Sequence, residues 1–279
     1  MGIAVPQTLD DTLGAVADQP GAQILSGGTD FMVEVNFGHR RPVDVVALRR
    51  VNELRGFHRH NGSVELGAGL TYTRMQQPDL ADLVPGLAQA ARTVGSPQIR
   101  NVGTLGGNLG TASPAGDTLP VLAALDASIE VASTRGRRTL TLDELIVGPK
   151  QNTLEPDELI VGATVPVTNG PQEFLKVGTR NAMVIAVCSV ALVVDSVAHT
   201  VHCALGAAGP VIIRATEAEE WIAQRVDWDA GRVDDSRLAS EFGQRVAAAA
   251  RPIDDHRSTA EYRRHAIGVL ATRALERAL

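Results

Sequence analysis

The sequence predicts a mixed α+β fold laid out in three successive parts, and three observations point to it. Short apolar strands alternate with a helical repeat before residue 55. A run of strand-like segments follows a glycine-rich stretch in the middle of the chain. Beyond a boundary marked by Pro166, Asn169, Gly170 and Pro171, apolar strand-like segments give way to two helical patterns. The expected parts are residues 1–55, 56–170 and 171–279.

The elements follow in order. Thr8 is placed to cap a helix on which Leu9, Leu13 and Val16 recur at helical spacing. Gln23-Ile24-Leu25 reads as a short strand running into Ser26-Gly27-Gly28-Thr29-Asp30, and residues 43–48 and 64–68 read as further strands. Pro85 suits the first turn of a helix carrying Leu87, Ala91 and Val94 on one face, with Gly95 as its stop. The segment from Gly95 onward is the densest in turn formers, and an apolar helix is expected over residues 119–125. Residues 129–131, 139–142 and 159–165 read as strands, as do 174–177, the long apolar run 184–194 and 201–205. Two helices are expected within 236–250 and 258–278, the second with Ser258 and Glu261 at capping-box spacing.

Composition narrows the function. A net charge of −6 with 3% aromatic residues argues against nucleic acid, which calls for a basic stripe or stacking rings. Cys188 and Cys203 are the only cysteines, each in an apolar run. They read as buried reduced thiols, and two thiolates are too few for an iron–sulfur cluster. The N-terminal residues show no signal-peptide pattern and no apolar run is long enough to span a bilayer, so a cytoplasmic protein without membrane insertion is expected.

Two glycine pairs carry the chemistry, Gly27-Gly28 and Gly106-Gly107. Backbone without Cβ atoms can turn sharply and aim successive N–H groups at one anion. Ser26 and Thr29 flank the first pair, Thr104 and Thr111 the second, so hydroxyls and peptide dipoles can hold a pyrophosphate without lysine or arginine. The bland alternative is two tight turns. Neither a G-x-G-x-x-G after a strand nor a G-x-x-x-x-G-K-[ST] occurs. Asp117 reads either as a helix N-cap or as an acceptor for the hydroxyls of a ribityl chain. Lys176 falls on a strand, where a lysine is usually solvated; beside a flavin, its charge favours the anionic reduced ring. His58 and His60 alternate on a strand but lack a third ligand for a metal. Glu261, Arg263 and Arg264 read as a solvated or subunit-facing surface.

Ser26-Gly27-Gly28-Thr29-Asp30 resembles the AGGTD motif of the FAD-binding medium subunits of molybdenum hydroxylases, the xanthine dehydrogenase and carbon monoxide dehydrogenase family. Residues 98–108 are similar to that family's QIRNxGTxGGN, and 111–117 to its TASPxGD. Serine replaces the usual alanine at position 26. The resemblance spans essentially the whole chain. It implies an FAD-binding unit of two α/β subdomains, vanillyl-alcohol-oxidase-like, followed by a C-terminal domain of antiparallel sheet and helices. It also implies that Leu25, Ser26, Gly27, Gly28, Thr29 and Asp30, with Thr104, Gly106 and Gly107, hold the FAD pyrophosphate. Asn108, Thr111 and Asp117 match positions contacting the ribityl and phosphate portion. Val161 matches an apolar position near the isoalloxazine ring, and Lys176 a lysine close to it.

By the same resemblance, a large subunit carries molybdopterin and a small one carries two iron–sulfur clusters, in a heterohexamer of paired heterotrimers. Electrons reach FAD from those clusters and leave to NAD or another acceptor. Arg180-Asn181-Ala182-Met183 stands where animal xanthine dehydrogenases carry acidic residues, which leaves that acceptor open. The implied substrate is xanthine or a related N-heterocycle, ahead of aldehyde or carbon monoxide. No side chain of this subunit need be a catalytic acid or base. The rival readings are a self-contained FAD-dependent oxidase and a nucleotide-binding scaffold.

Overall fold

The computed structural model describes residues 2–279. In chain order it begins β1 (Gly2–Ala4), α1 (Leu9–Asp18), β2 (Gln23–Leu25), α2 (Phe31–Asn36), β3 (Asp44–Ala47), β4 (Phe57–His60) and β5 (Ser63–Gly67). Six helices follow: α3 (Tyr72–Met75), α4 (Pro78–Ala81), α5 (Pro85–Thr93), α6 (Pro97–Val102), α7 (Leu105–Thr111) and α8 (Thr118–Ala124). Then come β6 (Ser128–Ser133), β7 (Gly136–Thr141), α9 (Leu142–Leu145), β8 (Ile146–Gly148), β9 (Gln151–Asn152), β10 (Leu159–Pro166) and β11 (Gln172–Val177). The chain closes with β12 (Cys188–Asp195), β13 (Thr200–Gly206), β14 (Ile213–Arg214), α10 (Thr216–Ala223), α11 (Ser236–Ala249) and α12 (Ala260–Ala278).

Two compact units form. The first takes residues 1–75, 96–112 and 127–166; the second takes 76–95, 113–126 and 167–279. The stretch 56–170 therefore contributes to both. The first unit holds a parallel sheet in the order β1-β3-β2 and a five-stranded antiparallel sheet in the order β4-β5-β10-β6-β7. Leu13 and Val16 of α1, capped by the Thr8 hydroxyl, bury against Val46, Leu54, Ala132 and Leu159, which joins the two sheets into one core.

The second unit is built on the antiparallel order β11-β12-β13-β14. Helices α10, α11 and α12 share its main core, where Phe242 and Ile267 meet Val190, Leu192 and Leu205. Helices α5 and α8 also pack on strands of this sheet. Seven of the eight residues of β12 are buried in consequence, and a strand covered on both faces reads as a continuous apolar run rather than an alternation.

The structure departs from the sequence reading in several places; the strand read over 184–194, for example, begins only at Cys188. Residues 97–111 are two short helices rather than turns, because Ser96 and Thr104 each cap one by accepting an N–H bond. Helices α2 and α10 and the four-residue α3, α4 and α9 were not foreseen; α2 is only six residues long, and its exposed Met32 and Val33 blur the amphipathic signal. The last helix is capped by Thr259, one residue after Ser258.

Finally, Arg263 is not on a surface. It is 4% exposed and donates to the carbonyls of Val187 and Ala207 at 2.9 and 3.1 Å and to Asp255 at 2.6 Å. Burial opposes the charge on Asp255, yet the N–H groups of Arg257 and Ser258 and the Arg263 guanidinium hold its pKa down, to about 2. A carboxylate with a depressed folded-state pKa stabilises the fold above the ordinary value, ~3.9, and loses that contribution as pH falls through the folded one. Urea unfolding followed down this acid range should show the wild type losing stability and Asp255→Asn, already weaker, losing less. Equal slopes for the two proteins would remove this carboxylate from the explanation.

Candidate cofactor site

The first motif lies where β2 ends. Parallel strands all present their carboxyl ends on one side, which is where open α/β sheets bind ligands. The chain turns sharply there, with Gly28 at φ +74°. Gly27 lies flat against the second motif: a Cβ on it would stand 2.0 Å from the Val102 carbonyl oxygen. Ser26 Oγ and Thr104 Oγ1 share a hydrogen bond of 2.8 Å across 78 residues of sequence. Among the described residues, the N–H groups of Gly27, Gly28 and Thr29 meet no protein acceptor. Three consecutive uncommitted amides beside two hydroxyls form a concavity suited to a phosphate oxygen. Leu25 closes the strand ahead of this turn. Asp30 lies 3.7 Å from Lys150 Nζ, which bonds Glu34 of α2 at 2.6 Å.

The second motif works differently from the sequence reading. Its amides are already engaged: Gly106 N–H donates to the Ala68 carbonyl at 2.7 Å, and Gly107 N–H to Thr104 Oγ1 at 3.1 Å. Gly106 is required for close approach, since its Cβ would come within 2.7 Å of Ala68 Cβ. What α7 offers is a face. Leu105, Leu109 and Ala112 are buried, whereas Gly107, Asn108 and Thr111 are partly exposed one turn apart. Val161 belongs to the apolar core of this unit and is 6% exposed.

Asp117 and Lys176 meet in the second unit. Lys176 Nζ lies 2.5 Å from Asp117 Oδ2, with side chains 7% and 5% exposed, and Thr93 Oγ1 donates to the same oxygen at 3.1 Å. So this lysine is not solvated. Asp117 stands at the N-cap position of α8, as read, but its backbone is helical and its side chain makes no capping bond. Burial pushes the Asp117 carboxyl above the ordinary range, against the pull of Lys176. Asp117 Oδ1 is buried with no hydrogen-bond partner. An orphaned carboxylate oxygen is a place for a hydroxyl donor, such as those of a ribityl chain.

Sequence reasoning missed the arginines. A cleft of about 620 Å³ is lined by Ser26, Gly27 and Thr104 together with Arg49, Arg55 and Arg74. The available signal was that Arg49 directly follows the strand read over 43–48, as the glycine loop directly follows the strand Gln23–Leu25. His58 and His60 sit on β4, and no cluster of three metal-ligating side chains occurs among the described residues. No helix among them is long and apolar enough to cross a membrane. Cys188 and Cys203 are unbridged and buried, and burial raises the Cys188 thiol to about 12.

Comparison with known proteins places this geometry. Residues 1–168 match the family described as FAD binding domain in molybdopterin dehydrogenase, and 173–278 match CO dehydrogenase flavoprotein C-terminal domain. The nicotinate dehydrogenase FAD-subunit of Eubacterium barkeri is 35% identical over 191 residues, covering 65% of this chain and 64% of that one. The nicotine 6-hydroxylase medium subunit of Paenarthrobacter nicotinovorans is 31% identical over 98% of this chain and 95% of its own. Quinoline 2-oxidoreductase from Pseudomonas putida 86 superposes with a TM-score of 0.90 at 25% identity, covering all of this chain and 96% of that one. The chain therefore belongs to the FAD-binding medium subunits of the molybdenum hydroxylases.

Proposed function

We propose that the crevice at the carboxyl end of the parallel sheet holds the FAD diphosphate, with the Gly27–Thr29 amides as donors together with whichever hydroxyl of the Ser26–Thr104 pair does not spend its proton on their mutual hydrogen bond. The Ser26–Thr104 hydrogen bond carries this reading, because it brings both glycine motifs to one place. Gly107, Asn108 and Thr111 present the exposed face of α7 to the cofactor, and Asp117 takes a ribityl hydroxyl on Oδ1. Bound FAD supplies the electron-accepting and electron-donating chemistry. This chain's own work is to orient it and exclude water. In the second unit, Lys176 is paired with Asp117 and so presents a neutral ion pair rather than a bare cation.

Gly107→Asp should leave the purified chain without visible flavin absorbance, since a carboxylate on that face repels the diphosphate. Full retention of flavin would sink the assignment of α7. At the level of the complex, electrons arrive from iron–sulfur clusters on a small subunit, and molybdopterin sits on a large one, in paired heterotrimers. They leave to NAD or another acceptor in the cytoplasm. The substrate is xanthine or a related N-heterocycle; relatives named for nicotinate and nicotine support that class. Native purification from its own cells should bring down two further chains with iron and molybdenum. Turnover of that complex on xanthine, nicotinate, an aldehyde and carbon monoxide then selects the substrate. A lone flavin-bearing chain that oxidises substrate would favour the self-contained oxidase instead.

A further inference from the structure

The three parallel strands of the N-terminal sheet all end on the same side of that sheet. β1 leads to Gln7, β2 to the glycine loop, and β3 to Arg49 and Arg50. Two clefts at this end share Arg49 and Arg55, and one of them is the cleft that contains Ser26, Gly27 and Thr104. Together their walls carry four arginines and no acidic side chain, in a chain whose net charge is −6. Neither Arg49 nor Arg55 pairs with a carboxylate among the described residues. The Arg55 guanidinium instead donates to the Arg49 carbonyl, which ties it to the turn after β3 and leaves its other donors available. The Arg49 and Arg55 guanidinium groups, in a concave wall without acidic side chains, are placed for an anion, and guanidinium matches phosphate oxygens in both charge and planar geometry.

Resting on the reading that the glycine loop holds the FAD diphosphate, we propose that Arg49 and Arg55 are the cations that neutralise it. The amides and hydroxyls fix where the phosphates lie; the two arginines balance their charge. The site is then not the purely dipolar one that the glycine motifs suggest.

The test is titration of the flavin-stripped chain with FAD at low and high salt. The Arg49→Gln/Arg55→Gln double variant should bind FAD at least about tenfold more weakly at low salt, with the gap narrowing at high salt as the charge is screened. The Arg49→Lys/Arg55→Lys variant should recover most of the loss. Binding by the glutamine double within about twofold of wild type at low salt would overturn the assignment. So would a loss that persists unchanged at high salt and is not rescued by lysine, since that marks damage to the fold. Gly27→Ala separates the two layers of the argument. If it loses FAD while the glutamine double keeps it, only the arginine assignment fails; if it keeps FAD, the loop reading fails first.

Discussion

Replacing Gly27 with alanine is expected to strip FAD from the chain. The new Cβ would stand 2.0 Å from the Val102 carbonyl oxygen, 2.7 Å from its carbon and 2.8 Å from Gly103 Cα. All three are backbone atoms, so no side-chain rotation relieves the overlap, and the two motifs must separate. Overpacking of this kind costs about 1–3 kcal/mol. Here the movement also breaks the Ser26–Thr104 hydrogen bond and spreads the donors that converge on the diphosphate. FAD affinity should fall by at least about tenfold, or ~1.4 kcal/mol. Flavin absorbance after gel filtration, with equilibrium titration, measures it. Gly14→Ala is the matched control. It lies within α1 with nothing within 4 Å of a new Cβ, so it should keep its flavin and gain about 0.5–1 kcal/mol of stability. If Gly27→Ala retained flavin like the control, the contact between the motifs would not matter for binding.

The second large effect is on stability. Lys176→Met leaves Asp117 buried with no cation beside it, and removal of one partner from a buried pair costs about 3–5 kcal/mol. The Lys176→Met/Asp117→Leu double variant should recover much of that loss, because an apolar pair of similar volume avoids the desolvation altogether. The pH dependence has a definite sign. Burial raises the Asp117 carboxyl, so the stability linked to its proton is present below the ordinary carboxylate value and is lost as pH rises through the folded value. Lys176→Met, which removes the opposing pull, should therefore be closest to wild type in acid and furthest from it at neutral pH. Denaturant unfolding at about pH 4 and pH 7 reads this. A constant difference at both would mean that Asp117 does not titrate with folding.

Much of the architecture was legible in the residues. The spacing of Leu9, Leu13 and Val16 behind Thr8, the apolar run before Val194 and the alternation at residues 64–68 each report local burial, and burial pattern is set by neighbours in sequence. The glycine motifs announced a cofactor loop for the same reason: a sharp turn flanked by hydroxyls is a local property. Residues 97–111 were misread because their glycines were weighed as turn formers. In the fold they permit α7 to approach Ala68, and two side-chain caps hold the helices they interrupt.

The pairings that make the site are another matter. Ser26 meets Thr104 across 78 residues, and Lys176 meets Asp117 across 59. Nothing in either neighbourhood specifies the other, since the meeting depends on strand order and on which helix face packs where. Arg263 and Arg49 make the same point in opposite directions, one read as surface but buried at 4% exposure, the other unremarked but lining the crevice. The sequence by itself determined the periodic elements, the two glycine motifs and the family they mark. Only the tertiary structure decided which amides stay free, which carboxylate oxygen is left without a partner and which cations face the cleft, because those depend on contacts between distant segments.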